Sequence, residues 1–257
     1  MLKLCTFLCV FFCWGTVASG QVKRMELSSF TISSSKEKYV LYEPISIKFT
    51  IKNDHNQDLN GDFGIAGWRN LEKIGLKYRR ENDQEWDYGI QYGEFVLCND
   101  LKIDPLPAHS ERSKTMTFLY DRARDQFIFA QPGVYELRAR YSYYNFNKKI
   151  HSNVLRVIVE PLPLDEPEAV VTLWKDQYLA QIIQDKNIDA EHQEGALDKL
   201  QKLLREYPNS LYAKSAKASI LQNIEERKQA NDPIQGYRKI AVDFVKTEMT
   251  TRKEKSP

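Results

Sequence analysis

From Met25 to Glu160 apolar side chains recur at every second position, the period of a strand with one buried face. The clearest run sets Ile45, Ile47, Phe49 and Ile51 against Ser46, Lys48 and Thr50. A second sets Tyr135, Leu137, Ala139, Tyr141 and Tyr143 on one face, with Glu136, Arg138, Arg140 and Ser142 on the other. Further strands are expected at 26–32, 73–80, 93–98, 112–120 and 151–160, separated by turn-rich stretches such as Asn53–Gly64 and Asn145–Lys149. About seven strands in this length predict an antiparallel sandwich.

The period then changes. Pro161, Pro163 and Pro167 forbid regular helix over 161–168, which reads as a linker. Beyond it the apolar spacing is helical. Val170, Leu173, Trp174 and Ile182 form one stripe, and Ala196, Leu197, Leu200, Leu203, Leu204 and Tyr207 a second. Tyr212, Ala213, Ala216, Ile220 and Ile224 form a third, and after Asp232–Gly236 a last helix carries Ile240, Phe244, Val245 and Met249. The expected organisation is a leader at 1–20, a β domain at 21–160, a linker at 161–168, a helical domain at 169–250 and a frayed tail at 251–257.

Three segments carry resemblances. Gln131-Pro132-Gly133-Val134-Tyr135, running on to Tyr141, resembles the penultimate strand of an immunoglobulin-like domain, in which a tyrosine such as Tyr135 bonds nearby backbone. Tyr42-Glu43-Pro44-Ile45, opening a strand that ends at Asn53-Asp54, resembles the second strand of bacterial secreted sandwich domains. The paired cysteines and core tryptophan of antibody domains are missing, so the resemblance implies the sandwich architecture alone. Ala196 to Ala216, with Tyr207-Pro208-Asn209-Ser210 at its centre, resembles one tetratricopeptide-type unit of bacterial envelope proteins. That family implies contact with other proteins, although a single unit also reads as a plain helical hairpin. The local physics agrees with a hairpin, since Pro208 stops one helix and Asn209 or Ser210 caps the next.

Lys3, the apolar run Leu4–Trp14 and the small residues Val17-Ala18-Ser19-Gly20 follow the order of a secretory signal peptide, with cleavage expected after Gly20. The run is about half of the ~20 residues a spanning helix needs, and no later stretch is long and apolar enough to span. Of the four cysteines, Cys5, Cys9 and Cys13 lie in this leader, leaving Cys98 as a buried small side chain and no internal disulfide. The formal net charge of +2 falls to +1 without Lys3. That balance argues against nucleic acid or an anionic membrane as the main partner.

Chemistry is sparse. There is no Gly-x-Ser-x-Gly elbow, His-Glu-x-x-His pair, phosphate loop or Cys-x-x-Cys pair, and His55, His109, His151 and His192 lack ligand spacing. The stretch Asn56–Gly67 partly matches a calcium loop, but Asn56 stands first where aspartate is usual and Gly67 stands at the bidentate position. The same Asn, Asp and Gly residues suit a loop between strands. Aromatic residues offer a binding surface: Trp86, Tyr88 and Tyr92 cluster in one connection, and Tyr144 and Phe146 sit beside an expected hairpin tip. Leu211 and Tyr212 would line a groove on the helices.

The expectation is an exported, periplasmic or extracellular, non-enzymatic protein that binds another protein in a bacterial envelope, with no cofactor or metal. Its candidate binding residues are Trp86, Tyr88, Tyr144, Phe146, Leu211 and Tyr212. One alternative is a carbohydrate-binding envelope module, which would set Trp86, Tyr88 or Tyr144 in a planar row. Another is a hydrolase or protease inhibitor with a loop-borne site.

Overall fold

The computed structural model describes residues 26–60, 63, 74–86, 105–122, 124–143, 148–184, 188–229 and 236–253. The strands among them are β1 (Ser29–Ser34), β2 (Lys38–Val40), β3 (Ile45–Asn53), β4 (Ile74–Arg80), β5 (Ser110–Phe118), β6 (Tyr120–Asp121), β7 (Gln126–Phe127), β8 (Gly133–Tyr143) and β9 (Lys148–Glu160). Five helices follow: α1 (Glu168–Trp174), α2 (Gln177–Ile183), α3 (Ala190–Glu206), α4 (Leu211–Gln229) and α5 (Tyr237–Lys253). The chain is therefore mixed, β first and α second. The expected leader, the strand at 93–98 and Cys98 lie outside the described residues.

One sheet runs β1-β3-β5 and the other β2-β9-β8-β4, with a separate β6-β7 hairpin. Neighbours are antiparallel except β2, which lies parallel to β9. The two sheets face each other through the alternating apolar positions. Ile45, Ile47, Phe49 and Ile51 of β3 are fully buried, and they share one core with Leu137, Ala139 and Tyr141 of β8. Phe30 of β1 meets Tyr141 across the sheets at 5.6 Å. At the mouth of β8 the Tyr135 hydroxyl donates to the Gln131 carbonyl at 2.8 Å, the local backbone contact expected from the sequence.

A bulge in β9 seals an edge. Between the pairs Arg138 with Val154 and Arg140 with His151, two residues of β9 oppose Ala139 alone. Ser152 recovers the lost ladder bond, its hydroxyl accepting the Ala139 N–H at 2.9 Å. Asn153 turns towards β1, where its Oδ1 accepts the Ile32 N–H at 2.9 Å and its Nδ2 donates to the Ile32 carbonyl at 3.1 Å. A side-chain amide thus stands in for a neighbouring strand on an otherwise open edge. Asn153→Ala is expected to destabilise the protein by about 1–3 kcal/mol, the range for stripping partners from backbone groups. An unchanged urea midpoint would contradict this.

The helical part differs from expectation at its start. The stripe from Val170 to Ile182 is two helices, because Asp176 interrupts it and caps α2 by accepting the Tyr178 and Leu179 N–H groups at 3.1 and 2.9 Å. Further on, α3 ends at Tyr207, and Ser210 caps α4 through the Ala213 N–H at 3.0 Å. Ala213 and Ala216 are both fully buried on the inner face of α4. The segment 161–167 is no free spacer, since Leu162 packs against both the β core and the helical core.

Candidate functional site

The residues expected to bind fall in two places. Trp86 follows β4 and lies half-buried on the outer face of the four-stranded sheet. Leu211 and Tyr212 open α4 at the seam between the sheets and the helices. Tyr88, Tyr144 and Phe146, like Tyr92, lie outside the described residues, so a planar aromatic row is not assembled among the described ones.

The outer sheet face is built from alternate residues of β4, β8 and β9, which the pleat turns away from the core. Register places Arg79 beside Glu136 and Glu136 beside Arg156. Arg79 forks onto Glu136 through Nε and Nη2 at 2.7 and 2.6 Å, and Arg156 reaches Glu81 at 2.6 Å. The Arg79 guanidinium also lies 4.7 Å from the centre of the Trp86 ring. One arginine therefore spends its planar face on the indole and its edge on a carboxylate, which fixes Trp86 against the sheet. Nearby, Arg80 donates to the Gln131 side chain at 2.7 Å and the Pro132 carbonyl at 2.8 Å. It lies close over Gly133, whose positive φ of 152° and missing side chain both suit that approach.

The seam corrects the expectation for Tyr212. Its side chain is fully buried, stacked on Trp174 at 4.8 Å, so it fills core instead of lining a groove. The two rings grip one turn. The Tyr212 hydroxyl donates to the Leu41 carbonyl at 2.6 Å, and the Trp174 indole N–H donates to the Tyr42 carbonyl at 2.7 Å. Burial, with the Glu166 and Glu43 carboxylates adding to it, pushes the Tyr212 hydroxyl well above its ordinary value, so it stays a donor. Tyr42 sits in the left-handed region at φ 65°, a conformation that costs a non-glycine residue energy. The turn is held there by Glu43, whose N–H donates to the Val40 carbonyl at 2.8 Å and whose carboxylate accepts the Val40 N–H at 2.9 Å. The Tyr42 ring packs edge-on against Phe127 at 5.1 Å and lies under Lys175 at 4.7 Å. Leu211 is half-buried, its N–H directed at Glu166 at 3.4 Å.

A second grip joins α2 to the chain between β5 and β6. Gln184 is almost wholly buried, and its Oε1 accepts the Leu119 and Tyr120 N–H groups at 2.6 and 3.1 Å. Its Nε2 returns a bond to the Tyr120 carbonyl at 3.0 Å. The Tyr120 hydroxyl donates to Asp125 and lies 2.9 Å from the Gln177 side-chain amide. Ser46 of β3 adds a bond to Gln222 of α4 at 3.0 Å. Gln184 and Glu43 escaped sequence reasoning, because nothing in a lone glutamine or glutamate announces which distant backbone it will meet.

The partial calcium loop is occupied by contacts of its own. Asp58 accepts the Ala108 N–H at 2.8 Å, and Asn56 pairs with the His109 imidazole at 2.9 Å. Among the described residues no group of three or more His, Cys, Asp or Glu side chains is placed to hold a metal ion, and no helix is long and apolar enough to cross a membrane.

These features define, among the described residues, a two-sheet β body followed by five helices, of which α1, α2 and α4 bond to it directly. No protein-family model matches the chain, and no curated protein matches it. Among solved structures it is similar to a β-glucosidase from Erythrobacter marinus at 12% identity and a TM-score of 0.30, over 51% of this chain and 15% of that one. A β-glucosidase from Listeria innocua with gluconolactone matches at 17% identity and 0.28, over 51% and 16%. The sporulation control protein Spo0M of Bacillus subtilis matches at 12% identity and 0.30, over 63% and 56%. The chain thus spans about a sixth of the glucosidases and just over half of Spo0M. At such scores these likenesses carry neither fold nor function across.

Proposed function

We propose that this chain is a non-enzymatic, exported protein that binds another protein in the bacterial cell envelope. In this reading the β body is an immunoglobulin-like sandwich and the helices are a single tetratricopeptide-like hairpin with flanking helices. Two features support the architecture: the sheet orders β1-β3-β5 and β2-β9-β8-β4, with β2 parallel to β9, and the Tyr135 contact with Gln131. The observation that carries the function is the seam. Side chains from α1, α2 and α4 bond straight to backbone of the β body, so the sheet face bearing Trp86 is presented in fixed relation to the helices. Preorganised surfaces bind without the entropic cost of ordering, which is what a docking protein needs.

The test is a pull-down from envelope extract with the full mature chain and its Trp86→Ser variant. A discrete envelope protein retained by the first and lost with the second is expected, Trp86 being an aromatic anchor of the kind that dominates interfaces. Retention of nothing, or equal retention by both, would overturn the reading.

A further inference from the structure

We propose that the outer face of β8 and β9 docks an extended acidic segment of a partner protein, gripped by Arg138, Arg140, Lys149 and His151. This inference rests on the reading that the chain binds another protein, and it names the chemistry of what is bound.

The sheet face divides electrostatically. At the Trp86 end the charges answer one another, Arg79 with Glu136 and Arg156 with Glu81. Two residues further along β8 the answers stop. Arg138 and Arg140 share the outward face, register sets Lys77 beside Arg138 and His151 beside Arg140, and Lys149 lies one step on, opposite Ser142. Among the described residues no carboxylate pairs with Arg138, Arg140 or Lys149. The concentration of positive charge is felt by His151, whose imidazole is held below its ordinary value by burial and by Arg138, Arg140, Lys77 and Lys149. Arg138, Arg140 and Lys149, gathered with no carboxylate partner among the described residues, raise the local concentration of anions.

Arg140 is also built in. Its guanidinium lies across Gly75, where an added Cβ would stand 3.7 Å from Nη2 and 3.9 Å from Nε. An added Cβ there would make only ordinary contact, so the guanidinium rests on the sheet surface, and its Nε is buried with no acceptor. A buried charged N–H without a partner is uncommon in folded proteins.

The geometry favours an extended peptide. A strand rises about 3.3 Å per residue, so alternate side chains on one side of an extended chain stand roughly 6.6 Å apart. That is the pitch at which Arg138 and Arg140 project from β8, and arginine takes a carboxylate through two parallel bonds. Val154, half exposed at 50% and opposite Arg138, offers an apolar contact between the charges.

The experiment uses the full mature chain and a fluorescent peptide of alternating glutamate and serine, followed by anisotropy. Binding is expected to weaken about tenfold or more in Arg138→Gln/Arg140→Gln, a loss of roughly 1.4 kcal/mol per decade. It should change less than about twofold in Lys202→Gln/Lys214→Gln, which removes the same formal charge from α3 and α4. Circular dichroism and a thermal melt confirm that both variants fold. No peptide binding, equal weakening in the two variants, or tighter binding of an oligothymidylate or a sulfated glycan would overturn the inference. If an envelope protein is retained through Trp86 while the arginine variant binds the peptide unchanged, this inference falls and the broader reading stands. If the peptide is lost with the arginines but no envelope protein is retained, the envelope reading falls and the acidic-peptide surface stands.

Discussion

Gln184→Leu is expected to lower stability by about 3–5 kcal/mol, the sum of several buried backbone groups each losing a partner at about 1–3 kcal/mol. Leucine has nearly the volume of glutamine, so no large cavity opens and the loss is almost purely one of hydrogen bonds. The Leu119 and Tyr120 N–H groups and the Tyr120 carbonyl would be left facing an isobutyl group where α2 meets the β body. With whole-domain stabilities of about 5–15 kcal/mol, this is a large share. The measurement is the guanidinium midpoint at unchanged slope. A shift equivalent to less than about 1 kcal/mol would mean that water reaches these groups and that the grip is not closed.

Trp174→Ala is the second large effect, about 3–5 kcal/mol for an aromatic deleted from a core. Trp174 is fully buried, its ring stacks on Tyr212 and its indole N–H holds the Tyr42 carbonyl. The variant therefore loses packing and a bond between helices and β body at one position. Because the bond is local to the seam, the earliest sign is undocking of α1 with the stretch 161–167, ahead of any opening of the β core. Limited proteolysis should cut that stretch faster in the variant, while Trp174→Phe, which keeps a smaller ring and loses the donor, falls between. Lowered global stability with unchanged cutting at 161–167 would show that the ring serves only the helical core.

Much of the architecture was legible because its signals are local. The alternation along β3 and β8 fixed their inner faces, and Tyr207-Pro208 with Ser210 marked the α3 to α4 corner through a helix stop and a cap. What escaped depends on distant partners. β2 has three residues, too few to show a period, and exists because Lys38–Val40 finds Ile158–Glu160 far along the chain. The break between α1 and α2 hid inside a continuous apolar stripe, since Asp176 can sit on an exposed helical face or cap a new helix. Trp86 stood out in the sequence as one of a cluster of aromatics, but the Arg79 and Glu136 beneath it did not, because their meeting needs the β4–β8 register. Tyr212 looked like groove lining for the same reason: its burial comes from Trp174, on a helix separated from it by two others.

The turn between β2 and β3 is gripped through the carbonyls of Leu41 and Tyr42 as well as through the Tyr42 ring. Relatives of this chain could therefore exchange Leu41 for another apolar residue and keep its carbonyl in place, whereas position 42 also carries the ring that meets Phe127 and Lys175. A single inserted or deleted residue would carry both carbonyls out of reach at once. Length is what heredity has to preserve there, along with the ring at position 42.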